Sequence, residues 1–387
     1  MIGASPQSVK NPLPWPFGSS LIPFCSIRGD GRRAVCPHMQ SGSPKITALS
    51  PPLLMKRLIF KTIAPWIITV VALYLAFRGV EWEMIVSHAQ SVRLAYVFAA
   101  VFLTIISYIL RSARWPVLCP DLSLPFSSSL RVLVLGFFMN NILPARAGEL
   151  VRAHLGAKVV GKPRTLMLAT IASERLADGL TLSILFAGTI LLFGQGHLDP
   201  EYAQNLLYVA YLFVAVTAGV IVTLLFREGI FSIFDKLTTK LSHKASTYAL
   251  SRAQIFIHGL SPLCSLSAAF KISLWSIVIW SVELGAFACV AYAYDANLSL
   301  FGTVLFLVSV NFSSLIPAAP GGFGVIELVA KNVLMSVGVA SSELALCIVL
   351  TQHVIQYLVI GVPGVFLLST LRSQMTDMTE ASQAANA

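Results

Sequence analysis

The chain has 387 residues, of which 56% are hydrophobic and only 11% charged, with a mean hydropathy of +0.78; soluble domains carry roughly 25% charged residues. That composition excludes a soluble globular protein. The lack of strand-type alternation excludes a β-barrel, so the fold class is all-α and polytopic in a membrane. The net charge of +10 is spread over the ends of apolar runs, which argues for membrane topology and against a nucleic-acid partner.

In chain order, residues 1–54 are rich in Pro, Ser and Gly and carry no long apolar run. They read as a disordered or mis-started extension before Met55, with a basic interfacial tail as the alternative. The transmembrane domain is expected over 55–372 and a disordered cytoplasmic tail over 373–387. Six full spans are predicted, at 62–79, 94–110, 165–193, 204–226, 269–293 and 344–369. The stretch 228–260 suits an amphipathic surface helix. Basic residues cluster at Lys56, Arg57 and Lys61, at Arg111, Arg114 and Arg131, and again from Arg227 to Arg252. The alternate connections hold Glu81, Glu83, Arg93, Asp199, Glu201 and Asp295. Positive-inside therefore places both termini in the cytoplasm.

Two further apolar segments, 131–143 and 301–316, are short and run into Pro/Gly breaks. ILPARAGELV (142–151) and LIPAAPGGFGVIELV (315–329) share an apolar half-helix, a Pro break, Gly residues and a Glu on the next helix. Pro144 and Gly148 break the first; Pro317, Pro320, Gly321, Gly322 and Gly324 break the second. Alternation of the six spans requires the two segments to enter from opposite sides. They therefore predict oppositely oriented re-entrant pairs forming an inverted repeat around a cavity, with two extramembrane loops between ordinary short spans as the alternative.

Charges at membrane depth mark the candidate site. Arg146, Glu149 and Arg152 follow the first break, and Glu174, Arg175 and Asp178 share a face of the next span. Each costs roughly 2.5–3.5 kcal/mol on insertion scales unless paired or hydrated. One reading is a structural salt-bridge cluster joining Arg146 or Arg152 to Glu174 and Asp178. The other is an anion site, because a guanidinium fork matches a phosphodiester and a half-helix N-terminus offers free N–H groups. Asn141, Glu283, Asn311 and Glu327 complete the candidate substrate-binding set, while Gln352, His353, Gln356 and Tyr357 suit interhelical contacts. RSARW (111–115) reads as an ordinary cytoplasmic anchor, with Arg111 and Arg114 receiving a phosphate at the interface as the alternative. The six cysteines have no metal-ligand spacing, no ATP-binding loop is present, and no nucleophile sits beside a base. No metal, cofactor or catalytic residue is expected.

The motifs NNILPARAGELVRA, SERLADG, RSARW and PGGFGVIE resemble the flippase-like family typified by the transmembrane region of lysylphosphatidylglycerol synthases, over roughly 57–370. The resemblance implies a bacterial inner-membrane protein that translocates or handles a lipid. Its motif residues fall on Asn141, Pro144, Arg146, Gly148, Glu149, Arg152, Glu174, Arg175, Asp178, Pro320, Gly321, Gly322, Gly324 and Glu327. The short tail after the last span leaves no room for an aminoacyl-transfer domain, so a stand-alone member is expected. Its substrate would be a membrane lipid, with an anionic or modified phospholipid headgroup. The alternative is a non-transporting accessory protein whose partner is a lipid-modifying enzyme.

Overall fold

Every regular element among the described residues is a helix. The computed structural model describes residues 51–118, 123–143, 147–193, 243–260, 265–316 and 318–385, with scattered positions between 204 and 226. The helices are α1 (Pro51–Phe77), α2 (Trp82–Gln90), α3 (Leu94–Val117), α4 (Phe126–Ile142), α5 (Gly148–Val160) and α6 (Arg164–Phe193). They continue with α7 (His243–Leu260), α8 (Leu266–Ala293), α9 (Leu300–Ser313), α10 (Val325–Ser336) and α11 (Ser342–Ala385). A 3-10 turn at Pro320–Gly322 sits between α9 and α10.

Four helices are long and apolar enough to cross a membrane: Leu94–Val117, Arg164–Leu192, Leu266–Ala293 and Ser342–Thr370. They match four of the six expected spans. Helices α1 and α2 meet at 80° and together make a fifth candidate. The expected segment 62–79 coincides with the end of α1, and Gly79, at φ +75°, follows it in the left-handed conformation that favours glycine. Most of the expected span 204–226 lies outside the described residues, as do residues 1–50, Pro144, Arg146 and Pro317. Helix α11 runs to Ala385, through the residues set apart as a tail. The described part of 228–260, α7, does not lie free on a surface. Leu260 is buried, packed with Phe256 and Ile257 against Ala169 of α6.

Helix α9, with 14 residues, is about 21 Å long at 1.5 Å per residue and falls short of a hydrocarbon core of about 30 Å. Leu58–Ala387 forms a single unit, and its helix contacts fall into matched sets. The α3–α4, α4–α5 and α5–α6 contacts are paralleled by α8–α9, α9–α10 and α10–α11. Likewise α4 packs on α11 where α9 packs on α6, and α6 meets α8 where α11 meets α3. Ser107 of α3 bonds Glu283 of α8 while Arg114 bonds Ser276; rising numbers meet falling ones, so α3 and α8 run antiparallel. The pairs Tyr294–Thr351 and Glu283–Gln356 set α8 antiparallel to α11 in the same way.

The largest buried cluster joins α8, α9, α10 and α11, with Phe287 and Phe306 edge-on at 4.8 Å. In lipid such packing, rather than exclusion of water, holds helices together. Small residues let backbones close. A Cβ on Gly136 of α4 would come within 2.8 Å of the Arg152 side chain, and one on Gly148 would enter the Gly136 carbonyl. These two glycines set the tight α4–α5 pair that delivers the first break to the interior.

Candidate functional site

A cavity of about 400 Å³ opens where the two broken segments converge. Asn140, Asn141 and Leu143 at the end of α4, with Glu149 at the start of α5, line one side. Asn311, Ser314 and the chain from Ala318 to Gly322 line the other. Tyr108 and Arg111 of α3, Arg175 of α6, Trp280 and Glu283 of α8, and His353, Gln356 and Tyr357 of α11 complete the wall.

Behind this wall lies a layered charge network. Arg114 meets Asp178 with two hydrogen bonds, at 2.6 and 3.0 Å. Arg152 meets Glu174 the same way, at 3.1 and 2.7 Å. All four side chains are buried. Bidentate geometry and complete burial make these two pairs rigid, and loss of one partner would leave a bare charge in a poorly hydrated interior. Trp115 covers the Arg152 guanidinium at 4.1 Å and donates to Thr170 at 3.1 Å.

Two outer guanidiniums face the cavity and are held more loosely. Arg111 lies 3.6 Å from both Asp178 and Glu283 and 4.7 Å above the Trp280 ring. Arg175 bonds Glu174 at 2.8 Å but stands 3.5 Å from Glu149, and its side chain is 31% exposed. Among the described residues the network holds four arginines, at 111, 114, 152 and 175, and four acids, at 149, 174, 178 and 283. The charges balance. Thr170 is level with Trp115, near the end of α3, and Glu174 lies about 6 Å further along α6.

The second break is organised differently. Gly321, Gly322 and Gly324 take φ values of +78°, +78° and +85°, which L side chains adopt only at a cost. A Cβ on Gly321 would overlap the Tyr357 hydroxyl. Glu327 accepts from Gly324 N at 2.6 Å and faces His353 Nδ1 at 2.5 Å, while His353 Nε2 faces the Gly321 carbonyl at 3.2 Å. The Phe323 ring stacks on His353 at 4.7 Å and lies 5.0 Å from Tyr357. Helix α1 braces the outer side, where Thr69 accepts from Ala319 N at 2.8 Å and Lys331 donates to the Ala76 carbonyl at 2.6 Å.

Of the residues singled out in the sequence, Asn141, Glu149, Arg175, Glu283, Asn311, Pro320, Gly321 and Gly322 line the cavity. Arg152, Glu174 and Asp178 stand behind its wall, and Glu327 is 1% exposed beneath the second break. Of the expected cluster the structure shows Arg152 on Glu174, while Asp178 meets Arg114 and Arg111; the other expected cation, Arg146, lies outside the described residues. RSARW is not a solvent-facing anchor, since Arg111 and Arg114 are buried. Their signal was present as a stripe at helical spacing, Thr104, Ser107, Arg111 and Arg114. Among the described residues no group of His, Cys, Asp and Glu could hold a metal ion.

The family model described as the lysylphosphatidylglycerol synthase transmembrane region matches residues 35–364. The glycosyltransferase AglD of Haloferax volcanii is 26% identical over 351 residues, covering 83% of this chain and 56% of its own. UPF0104 membrane protein MJ1595 of Methanocaldococcus jannaschii is 28% identical, over 38% of this chain and 43% of its own. UPF0104 membrane protein PH1989 of Pyrococcus horikoshii is 22% identical, over 75% of this chain and 90% of its own. The chain thus spans about half the length of the first two. No solved structure matches it.

Proposed function

Because the chain belongs to the family of the lysylphosphatidylglycerol synthase transmembrane region, and its broken segments converge on one polar cavity, we propose that it translocates a membrane lipid. The polar headgroup enters the cavity while the acyl tails stay in the bilayer. The observation that carries this reading is the wall itself: two cavity-facing guanidiniums, two carboxylates and three Asn side chains in a chain otherwise built of apolar helices. Arg111 and Arg175 suit a lipid phosphate, because the Arg111 pairs with Asp178 and Glu283 and the Arg175 pair with Glu149 are long enough for an incoming oxyanion to displace, while Glu174 keeps Arg175 in place.

The matched helix contacts and the antiparallel α3–α8 pairing support an inverted repeat, with α4–α5 and α9–α10 as re-entrant pairs entering from opposite sides. The charge distribution supports both termini being cytoplasmic, and the bacterial inner membrane is the location that the family resemblance implies. On this reading the chain is a transporter without catalytic residues. A second reading draws on AglD, which is named a glycosyltransferase and is longer than this chain. There the same cavity holds a lipid for a lipid-modifying enzyme, and the chain is an accessory partner.

The test is transbilayer movement of fluorescently labelled phosphatidylglycerol and aminoacylated phospholipid in proteoliposomes, with wild type beside Arg175→Ala. Movement by wild type that falls about tenfold or more in the variant is the expected result. Folded wild type that moves neither lipid, but co-purifies with a lipid-modifying enzyme, would replace the transporter reading with the accessory one.

A further inference from the structure

The two halves of the cavity close with the same acid–cation pair, except that the cation differs. Glu149 on the first turn of α5 faces Arg175 on α6, and Glu327 on the first turn of α10 faces His353 on α11. Both pairs span 26 residues of sequence. A guanidinium does not lose its proton in a protein, whereas an imidazole titrates near neutrality. We propose that the Glu327–His353 pair is a proton-binding site that latches the second broken segment. Its protonation is coupled to passage of the headgroup, and this coupling rests on the headgroup reading of the cavity.

The hydrogen-bond partners define the bound state. His353 Nδ1 faces a Glu327 oxygen and Nε2 faces the Gly321 carbonyl. The Gly321 carbonyl accepts, and so does Glu327 in its ionised form, whose other oxygen takes the Gly324 N–H. Only imidazolium donates from both nitrogens, so the latched geometry is that of His353 carrying two ring protons. When Nε2 gives its proton to cavity water, its lone pair meets the Gly321 oxygen and that bond is lost. The neutral ring keeps its Nδ1–H bond to Glu327. The freed peptide lies on the cavity wall, in a turn of three left-handed glycines, so release of one proton loosens the segment that encloses the headgroup.

The surrounding groups leave this pair to set the response. On α11, Tyr357 touches His353 ring to ring at 5.0 Å, and Glu343 lies at the far end of the helix near Glu81. On α10, Lys331 is turned away to the Ala76 carbonyl of α1. Helix α9 presents the uncharged Asn311, and α4 presents Asn140 and Asn141. Across the cavity stand Arg111 with Glu283 and Arg175 with Glu149, each already matched in charge. His353 is itself a wall residue, so cavity water supplies and removes the proton.

Hydrogen exchange of the full chain in phosphatidylglycerol/phosphatidylethanolamine nanodiscs tests the latch without any cargo. Exchange at 318–324 is read from about pH 5.5 to about pH 8.5, corrected for intrinsic rate and normalised to α5 in the same protein. The expected result is a rise of about tenfold or more in wild type, abolished in His353→Arg, which copies the first half. A pH-indifferent wild type overturns the proposal without reference to any variant. In proteoliposomes, a pH gradient should then change the rate of labelled phosphatidylglycerol movement in wild type and not in His353→Arg. Gradient-indifferent movement overturns the coupling. A pH-switched latch with no lipid movement overturns the headgroup reading instead and leaves the proton site standing.

Discussion

The α4–α5 pair is flanked by charge and the α9–α10 pair by shape. Around α4 and α5, four guanidiniums and four carboxylates interlock, two pairs wholly buried and two at the cavity wall. Around α9 and α10, three left-handed glycines, one Glu–His contact and three rings in mutual contact surround the break with little permanent charge. A network of bidentate ion pairs has one good arrangement and resists change. A glycine turn closed by a few hydrogen bonds has neighbouring arrangements within a few kcal/mol, the requirement for a moving element. On the headgroup reading, the contrast suits recognition by the first half and motion in the second.

Substitutions can break that division, and the largest effect belongs to the inner charges. Arg114→Ala should cost about 3–5 kcal/mol, because it strands Asp178 in the interior, and thermal unfolding in detergent would show it. The double change Arg114→Met with Asp178→Leu should recover most of that loss if pairing alone is at stake. Next comes Gly321→Ala, where an L residue at φ +78° and a clash with Tyr357 together should cost more than about 1 kcal/mol. Adding Tyr357→Ala should return only the part due to the clash, separating steric from backbone strain.

Smaller stability effects sharpen the comparison. Arg175→Ala should change unfolding by at most about 1 kcal/mol, since the side chain is partly hydrated, while lipid movement is strongly reduced. Stability and transport losing ground together would place Arg175 with the structural pairs instead. Thr69→Val removes one hydrogen bond to the second break and should cost about 1 kcal/mol. Raised hydrogen exchange confined to 318–324 would show that α1 braces the moving half.

Much of this was legible in the sequence where composition alone decides. Long apolar runs gave the four clear spans, and the Pro/Gly breaks at 144–148 and 317–324 marked the segments that flank the cavity. Glu174, Arg175 and Asp178 stood out because charge is rare in apolar helices. Partner choice was not legible. Three-residue spacing puts Glu149 and Arg152 on one face of α5, yet Glu149 faces Arg175 and Arg152 bonds Glu174. Arg111 and Arg114 resembled an interfacial anchor because their burial depends on how far α6 extends past the end of α3. That stagger is a tertiary quantity with no local signature. Glu327 looked like a binding residue for the same reason: its commitment to Gly324 and His353 is visible only when α10 and α11 are side by side.

The central claim is that a lipid headgroup occupies the cavity between the breaks. A photo-crosslinking amino acid at Asn311, on the cavity wall, would be compared in native membranes with one at Phe366, 67% exposed on the apolar face of α11. Mass spectrometry of the adducts would identify what each contacts. The account predicts one class of lipid enriched at 311 and attached through its headgroup, with bulk acyl chains captured at 366. Lipid at 366 with none at 311, in protein that folds and inserts normally, would contradict it.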